Sequence, residues 1–215
     1  MLSVFALIFL SSSVLADGPE TDKKPIRNAT ILNSASRLEL LWSPGPYLHG
    51  NWGPISVCPE GTFASGFDLL WEPPTGDDTA LNAIRLICRN KDGTASFTIR
   101  SGEGPWGSAI KTFECPQREF LFSYQLSYEP YGRDAVDDTG ANGLLMSCRP
   151  LESDSEQGSK EIGDKGPWPV AWTRRVTCGR KSLIVGFETN VEPSCGSRCD
   201  DTALDDVRFF CVSSQ

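Results

Sequence analysis

The triplet Asp-Asp-Thr occurs three times, at Asp77-Asp78-Thr79, Asp137-Asp138-Thr139 and Asp200-Asp201-Thr202. Paired carboxylates can act as acid and base on a glycosidic bond. The same residue types also build turns, because Asp and Thr side chains hydrogen-bond nearby backbone amides. Recurrence favours the turn, since an enzyme seldom needs three copies of one site. Asp77, Asp78, Asp137, Asp138, Asp200 and Asp201 are therefore read first as turn residues and only second as ligand contacts. Glu72, Glu129 and Glu192, each followed by proline, are expected at strand ends as partners of backbone or arginine. Trp52, Trp71, Trp106, Trp168 and Trp172 can stack on sugar rings, but such residues more often fill a core. The single histidine, His49, lies in a Gly/Pro-rich loop and is expected in solvent. No Gly-x-Ser-x-Gly, phosphate loop or dinucleotide fingerprint is present. The residues thus name no catalytic set and call for no cofactor.

The eight cysteines repeat as well. Cys88, Cys148 and Cys211 each follow the first Asp of a triplet by 11 residues, and Cys58, Cys115 and Cys178 lie upstream. This order predicts Cys58–Cys88, Cys115–Cys148 and Cys178–Cys211. Each closes a loop of about 30 residues and contributes about 3.5–4 kcal/mol in the chain-entropy view. Cys195 and Cys199 remain and are natural partners for each other. An isolated C-x3-C with scarce histidine is a poor zinc site, so no metal is expected.

Bridges of this kind need an oxidising compartment. Met1 to Ala16 carries no charged side chain, has an apolar core too short to span a bilayer, and ends in Val14-Leu15-Ala16. It reads as a cleaved secretory signal. A polar segment, 17–36, follows and contains Asn28-Ala29-Thr30, a glycosylation acceptor pattern at Asn28. A secreted, extracellular protein without membrane insertion is expected. With 20 basic and 28 acidic side chains the net charge is −8, which disfavours nucleic acid and anionic membranes as partners.

The elements that must position these residues form an internal repeat. Gly45-Pro46-Tyr47, Gly104-Pro105-Trp106 and Gly166-Pro167-Trp168 open the series. The first cysteine, Glu-Pro, Asp-Asp-Thr and the second cysteine follow in the same order each time. The units run about 37–90, 91–150 and 151–215 within one domain, 37–215. Alternate positions before each Glu are mostly apolar: Ser65, Phe67, Leu69, Trp71; Phe122, Tyr124, Leu126, Tyr128; Val185, Phe187, Thr189, Val191. This is the period of a strand with one buried face, and the proline ends it. Ile84, Leu86 and Cys88 share a face, as do Leu144, Met146 and Cys148, and Val207, Phe209 and Cys211. Arg85 and Arg208 point the other way, where the second unit has Leu145. About four strands per unit and about twelve in all are predicted. A sheet with one apolar face must bury it. Three sheets do so as a triangular prism with a common core, or as a three-bladed propeller.

Gly76-Asp77-Asp78-Thr79-Ala80-Leu81-Asn82, with Ile84, Arg85 and Cys88, is distinctive. So is Cys58-Pro59-Glu60-Gly61-Thr62-Phe63-Ala64-Ser65-Gly66-Phe67, leading to Glu72-Pro73-Pro74. With Asp200 to Leu204 and the Gly-Pro-Trp sites, residues 37 to 212 resemble the vitelline membrane outer layer protein 1 family. The resemblance implies an all-β fold: a β-prism I of three four-stranded Greek-key sheets with pseudo-threefold symmetry, secreted and disulfide-bonded. Founding members sit in the outer layer of the bird egg vitelline membrane. A transfer activity on N-acetylglucosamine oligomers has been suggested for the family without an agreed residue set, so no catalytic position carries over. The chain departs from the pattern at Tyr47, Gly140, Leu145, Asp205 and the Cys195/Cys199 pair. The leading expectation is a non-enzymatic coat or matrix protein whose partners are other coat or matrix proteins and possible glycans. The alternative is a carbohydrate-binding or glycan-transferring prism.

Overall fold

A computed structural model describes residues 38–73, 79–130, 139–167, 171–194, 196 and 201–213. Strands are numbered in chain order. Three antiparallel hairpins of ten-residue strands carry the architecture: β4 (Thr62–Trp71) with β5 (Leu81–Asn90), β8 (Glu119–Tyr128) with β9 (Ala141–Pro150), and β13 (Ser182–Val191) with β14 (Leu204–Ser213). Short outer strands flank each hairpin. β6 (Ser96–Arg100) and β7 (Ala109–Glu114) flank the first, giving the order β6-β5-β4-β7. β10 (Lys160–Asp164) flanks the second on one side, with β11 (Ala171–Trp172) and β12 (Val176–Thr177) on the other. β1 (Glu39–Leu41), β2 (Asn51–Trp52) and β3 (Ser56–Val57) flank the third. A hairpin, a third strand beside its second, and a fourth returning beside its first is a Greek key. Two of the sheets have their fourth strand broken in two, so the expected twelve strands become fourteen among the described residues.

Sheets and sequence units are out of phase. Each hairpin takes its outer strands from the chain that follows it, and the last takes them from 38–57. β1 pairs with β14 over Glu39↔Cys211 to Leu41↔Phe209, so the chain closes its own ring. The repeat shows that three sheets exist, but not which unit lends strands to which.

The inward sides meet in one core that joins Phe67, Leu69 and Ile84 to Leu121, Tyr124 and Leu144, and these to Ile184, Phe187 and Phe209. The half-cystines of Cys58–Cys88, Cys115–Cys148 and Cys178–Cys211 belong to it. Cys195 and Cys199 lie outside the described residues.

The alternation read from sequence fails at its first position in every hairpin. The register shifts between Ala64 and Gly66, Leu121 and Ser123, and Ile184 and Gly186. A bulge inserts one residue and reverses the parity. Ala64, Leu121 and Ile184 therefore face the core, and Ser65, Phe122 and Val185 do not. Their carbonyls instead accept the amides of Cys115, Cys178 and Cys58, tying each hairpin to the neighbouring unit at 2.7–2.8 Å. Phe122 joins a separate cluster with Phe120 and Leu183. There the buried Arg149 lies over its ring at 4.4 Å and donates to the carbonyls of Gly179 and Ser182.

Candidate functional site

The repeated Glu and Thr form one device three times. Glu72 Oε2 accepts the amide and the hydroxyl of Thr79 at 3.1 and 2.8 Å. Glu129 does the same for Thr139, and Glu192 for Thr202. The carboxylate thereby caps a buried amide where the hairpin loop re-enters the sheet. Partners of the three glutamates are thus backbone and hydroxyl. In the first two clamps Asn82 and Asn142 donate an Nδ2 hydrogen to the threonine hydroxyl, at 2.6 and 3.1 Å. Asn82 Oδ1 also accepts the amide of Trp106, anchoring the strap that joins β6 to β7. In the third clamp Asp205 replaces Asn. Its Oδ2 accepts the amides of His49 and Gly50 at 2.7 and 2.9 Å, anchoring the strap from β1 to β2. Straps and clamps interlock around the ring, since Tyr47, buried on that strap, donates its hydroxyl to the Glu129 carbonyl. Gly140 replaces the Ala80 of the first unit because a Cβ there would lie 2.7 Å from the Leu204 carbonyl.

The outward faces differ. In the first sheet Arg100, Arg85, Asp68 and Thr112 form one row. Arg85 is held in a two-pronged pair by Glu103 at 2.7 and 2.8 Å, which keeps the Glu103 carboxyl below its ordinary pKa. In the second sheet the corresponding row is Gly163, Leu145 and Gln125. In the third sheet Arg208 lies between two indoles, its guanidinium carbon 4.2 Å from the Trp42 ring and 3.8 Å from the Trp52 ring. Arg208 also pairs with Glu188 at 3.3 Å. The two indoles meet edge to face at 6.2 Å. Trp42 Nε1 donates to Asp206 Oδ2 at 2.9 Å. Asp206 is wholly buried, and burial pushes its carboxyl up to about 6. Below this lies an apolar row of Leu40, Phe210, Gly186 and Val57, with Leu40 52% and Val57 37% exposed.

This third face is the candidate site, because it joins two indoles, a cation held over both of them, and two carboxylates. Adjacent rings and hydrogen-bonding groups can receive a ligand with alternating apolar and polar faces. The sequence pointed to Trp52 and Arg208 but passed over Trp42 and Asp206. A signal existed: Asp206 stands where the other units have Ala83 and Gly143. Among the other tryptophans, Trp71 is core with Lys111 Nζ 4.0 Å above its ring, Trp106 and Trp172 are half-buried, and Trp168 lies outside the described residues. His49 is exposed, its ring edge-on to Tyr47. Of the six repeated aspartates only Asp201 is described; it is half-buried and accepts from Ser194 Oγ at 3.3 Å. Asp77, Asp78, Asp137, Asp138, Asp200 and Asn28 lie outside the described residues. No group of three potential metal ligands gathers among the described residues.

Solved structures with this fold include Calystegia sepium agglutinin, at TM-score 0.51 and 12% identity over 82% of this chain and 95% of that one. Artocarpin in complex with mannotriose matches at TM-score 0.50 and 14% identity over 82% and 97%. These similarities establish the β-prism. In sequence, the vitelline membrane outer layer protein 1 homolog of Mus musculus is 37% identical over 172 residues, 77% of this chain and 79% of that protein. The Homo sapiens homolog is 35% identical over 176 residues, 80% and 81%. The family model for vitelline membrane outer layer protein I matches residues 40–214, which cover all three hairpins, and the chain belongs to that family.

Proposed function

We propose that the protein is a secreted, non-enzymatic component of an extracellular coat or matrix. The observation that carries this reading is the use made of the repeated carboxylates. Glu72, Glu129 and Glu192 all hold a threonine of their own hairpin loop, so these acids serve the architecture. Three bridges inside a ring-closed core suit a protein that must persist outside cells. The family's name, which refers to the outer layer of a membrane around an egg, supports an extracellular setting. The purified protein should leave N-acetylglucosamine oligomers unchanged when products are resolved by mass spectrometry. Turnover at an enzyme-like rate overturns the reading.

The Trp42–Arg208–Trp52 cluster favours a second reading, in which the protein binds glycans on the third face. A pyranose offers a C–H face to an indole and hydroxyls to Arg208 and Glu188. Artocarpin, whose fold this chain shares, is described as a mannose-specific lectin. A glycan array with the wild type and Trp52→Ala tests it. Binding lost in a folded variant supports this face, and binding retained places any glycan elsewhere.

A further inference from the structure

The third clamp has one hydrogen too few. The Thr202 hydroxyl lies 2.7 Å from Glu192 Oε2 and 2.6 Å from Asp205 Oδ1. A hydroxyl donates once. In the other clamps the second contact is supplied by Asn82 or Asn142, whose amide donates to the threonine. Two ionised carboxylates about one hydroxyl would leave an oxygen lone pair facing another at hydrogen-bond distance. An added proton removes the conflict, and the remaining contacts locate it. Glu192 Oε2 already accepts the Thr202 amide, so it is an acceptor. Asp205 Oδ2 accepts the His49 and Gly50 amides, which leaves Oδ1 to carry hydrogen.

We propose that the third clamp is closed by a proton: Asp205 is protonated on Oδ1 and donates to Thr202, Thr202 donates to Glu192, and loss of the proton to water opens the clamp. Asp205 thus reproduces the asparagine of the other clamps at acid pH and fails to do so at higher pH. Its surroundings favour the neutral form. Burial raises its pKa first, and the Glu192 charge adds to this against the bonds from Thr202, Gly50 and His49. From the adjoining hairpin comes Gly140, whose position a Cβ could share only at 3.1 Å from Oδ1. On the same strand stand Asp206, bound to Trp42, and Arg208, bound to Glu188. From the strap come the Tyr47 hydroxyl, engaged with Glu129, and the exposed His49. The opened clamp frees Glu192 and with it the end of β13, while the Asp205 carboxylate retains the strap amides. Two Asn-built clamps and one Asp-built clamp in a single chain make a catch that needs an added proton beside two whose second hydrogen comes from an amide.

The three threonine amides supply the test. Protection against hydrogen exchange is measured at Thr79, Thr139 and Thr202 in the whole protein between pH 4 and pH 8. Thr202 protection should fall about tenfold relative to the other two as pH rises through the Asp205 titration. Asp205→Asn should hold the Thr202 protection in a constant ratio to the other two across that range. A constant ratio in the wild type, or an unchanged response in Asp205→Asn, overturns the proposal. If that variant does not fold, the wild-type ratio decides alone, and the Asp205 carboxyl carbon shift reports its protonation directly.

Discussion

Along β5, β9 and β14, neighbouring residues follow opposite rules. The inward ones are Ile84, Leu86 and Cys88, then Leu144, Met146 and Cys148, then Val207, Phe209 and Cys211, and all are wholly buried. The outward residues between them are Arg85, Leu145 and Arg208, with three different sets of partners. Inward positions are constrained by one shared core, whose packing penalises any change of volume. Outward positions bear no such constraint, so a costly feature there needs its own reason. Asp206 is such a feature, a buried carboxyl where the other units place Ala83 or Gly143. The repeat is therefore an internal control: what recurs holds the molecule together, and what stands alone marks a place to look for binding.

If this contrast is right, the largest losses come from inside and are alike in the three units. Removing a bridge as a pair of alanines, Cys58/Cys88, Cys115/Cys148 or Cys178/Cys211, should cost about 3.5–4 kcal/mol each in urea unfolding. The bridged separations are 30, 33 and 33 residues, so the loop-entropy contribution is nearly equal. One bridge that proves dispensable beside two essential ones would break the equivalence of the units.

The next effect belongs to the third face and depends on pH. Asp206 has a folded pKa of about 6 against an ordinary value of 3.8, with burial as the main cause. A raised folded pKa means that the folded state binds the proton more tightly. Its contribution is therefore fully present below the unfolded value and lost as pH rises through about 6. Unfolding free energy should drop by roughly 2.4 kcal/mol between pH 4 and pH 7 on this account. Asp206→Asn, which still accepts from Trp42, should flatten most of that slope. A slope that survives moves the titration to another group.

Much of the architecture was legible because it is repeated. Glu-Pro, Asp-Asp-Thr and the cysteines recur in order, and a strand's two-residue period is visible in ten residues. The bulges at Ser65, Phe122 and Val185 were not, since a one-residue insertion has no composition of its own. Nor was the lending of 38–57 to the last hairpin, which depends on where the ring closes. The site was least legible. Trp42 meets Arg208 and Asp206 across more than 160 residues, and nothing local announces that meeting.

Truncating Trp42 sharpens the contrast further. Trp42→Ala removes a cation–π contact with Arg208 and leaves the buried Asp206 without its indole donor. About 2–3 kcal/mol should be lost at pH 7, where Asp206 is charged, and less at pH 4. Arg100→Ala, at the equivalent outward place of the first sheet, touches Glu103 only at 3.9 Å and should cost no more than about 0.5 kcal/mol. Equal losses would mean that the third face is ordinary surface.

A modest effect should come from the corner between the first two sheets. Lys111 reaches Asp164 at 2.8 Å and lies over the Trp71 ring at 4.0 Å, but its side chain is 48% exposed. An exposed pair of this kind contributes about 0.2–1 kcal/mol and weakens with salt. The indole contact adds a similar amount that salt screens less, because it also buries the methylene stem. Lys111→Ala should therefore lower the thermal midpoint by only a few degrees, and high salt should recover part of that difference. Lys111→Met retains the stem without the charge and should lie between. A loss as large as that of removing a bridge, insensitive to salt, would mean that this corner shares the burden of the core. The outward surface would then no longer separate from the inward one by energy.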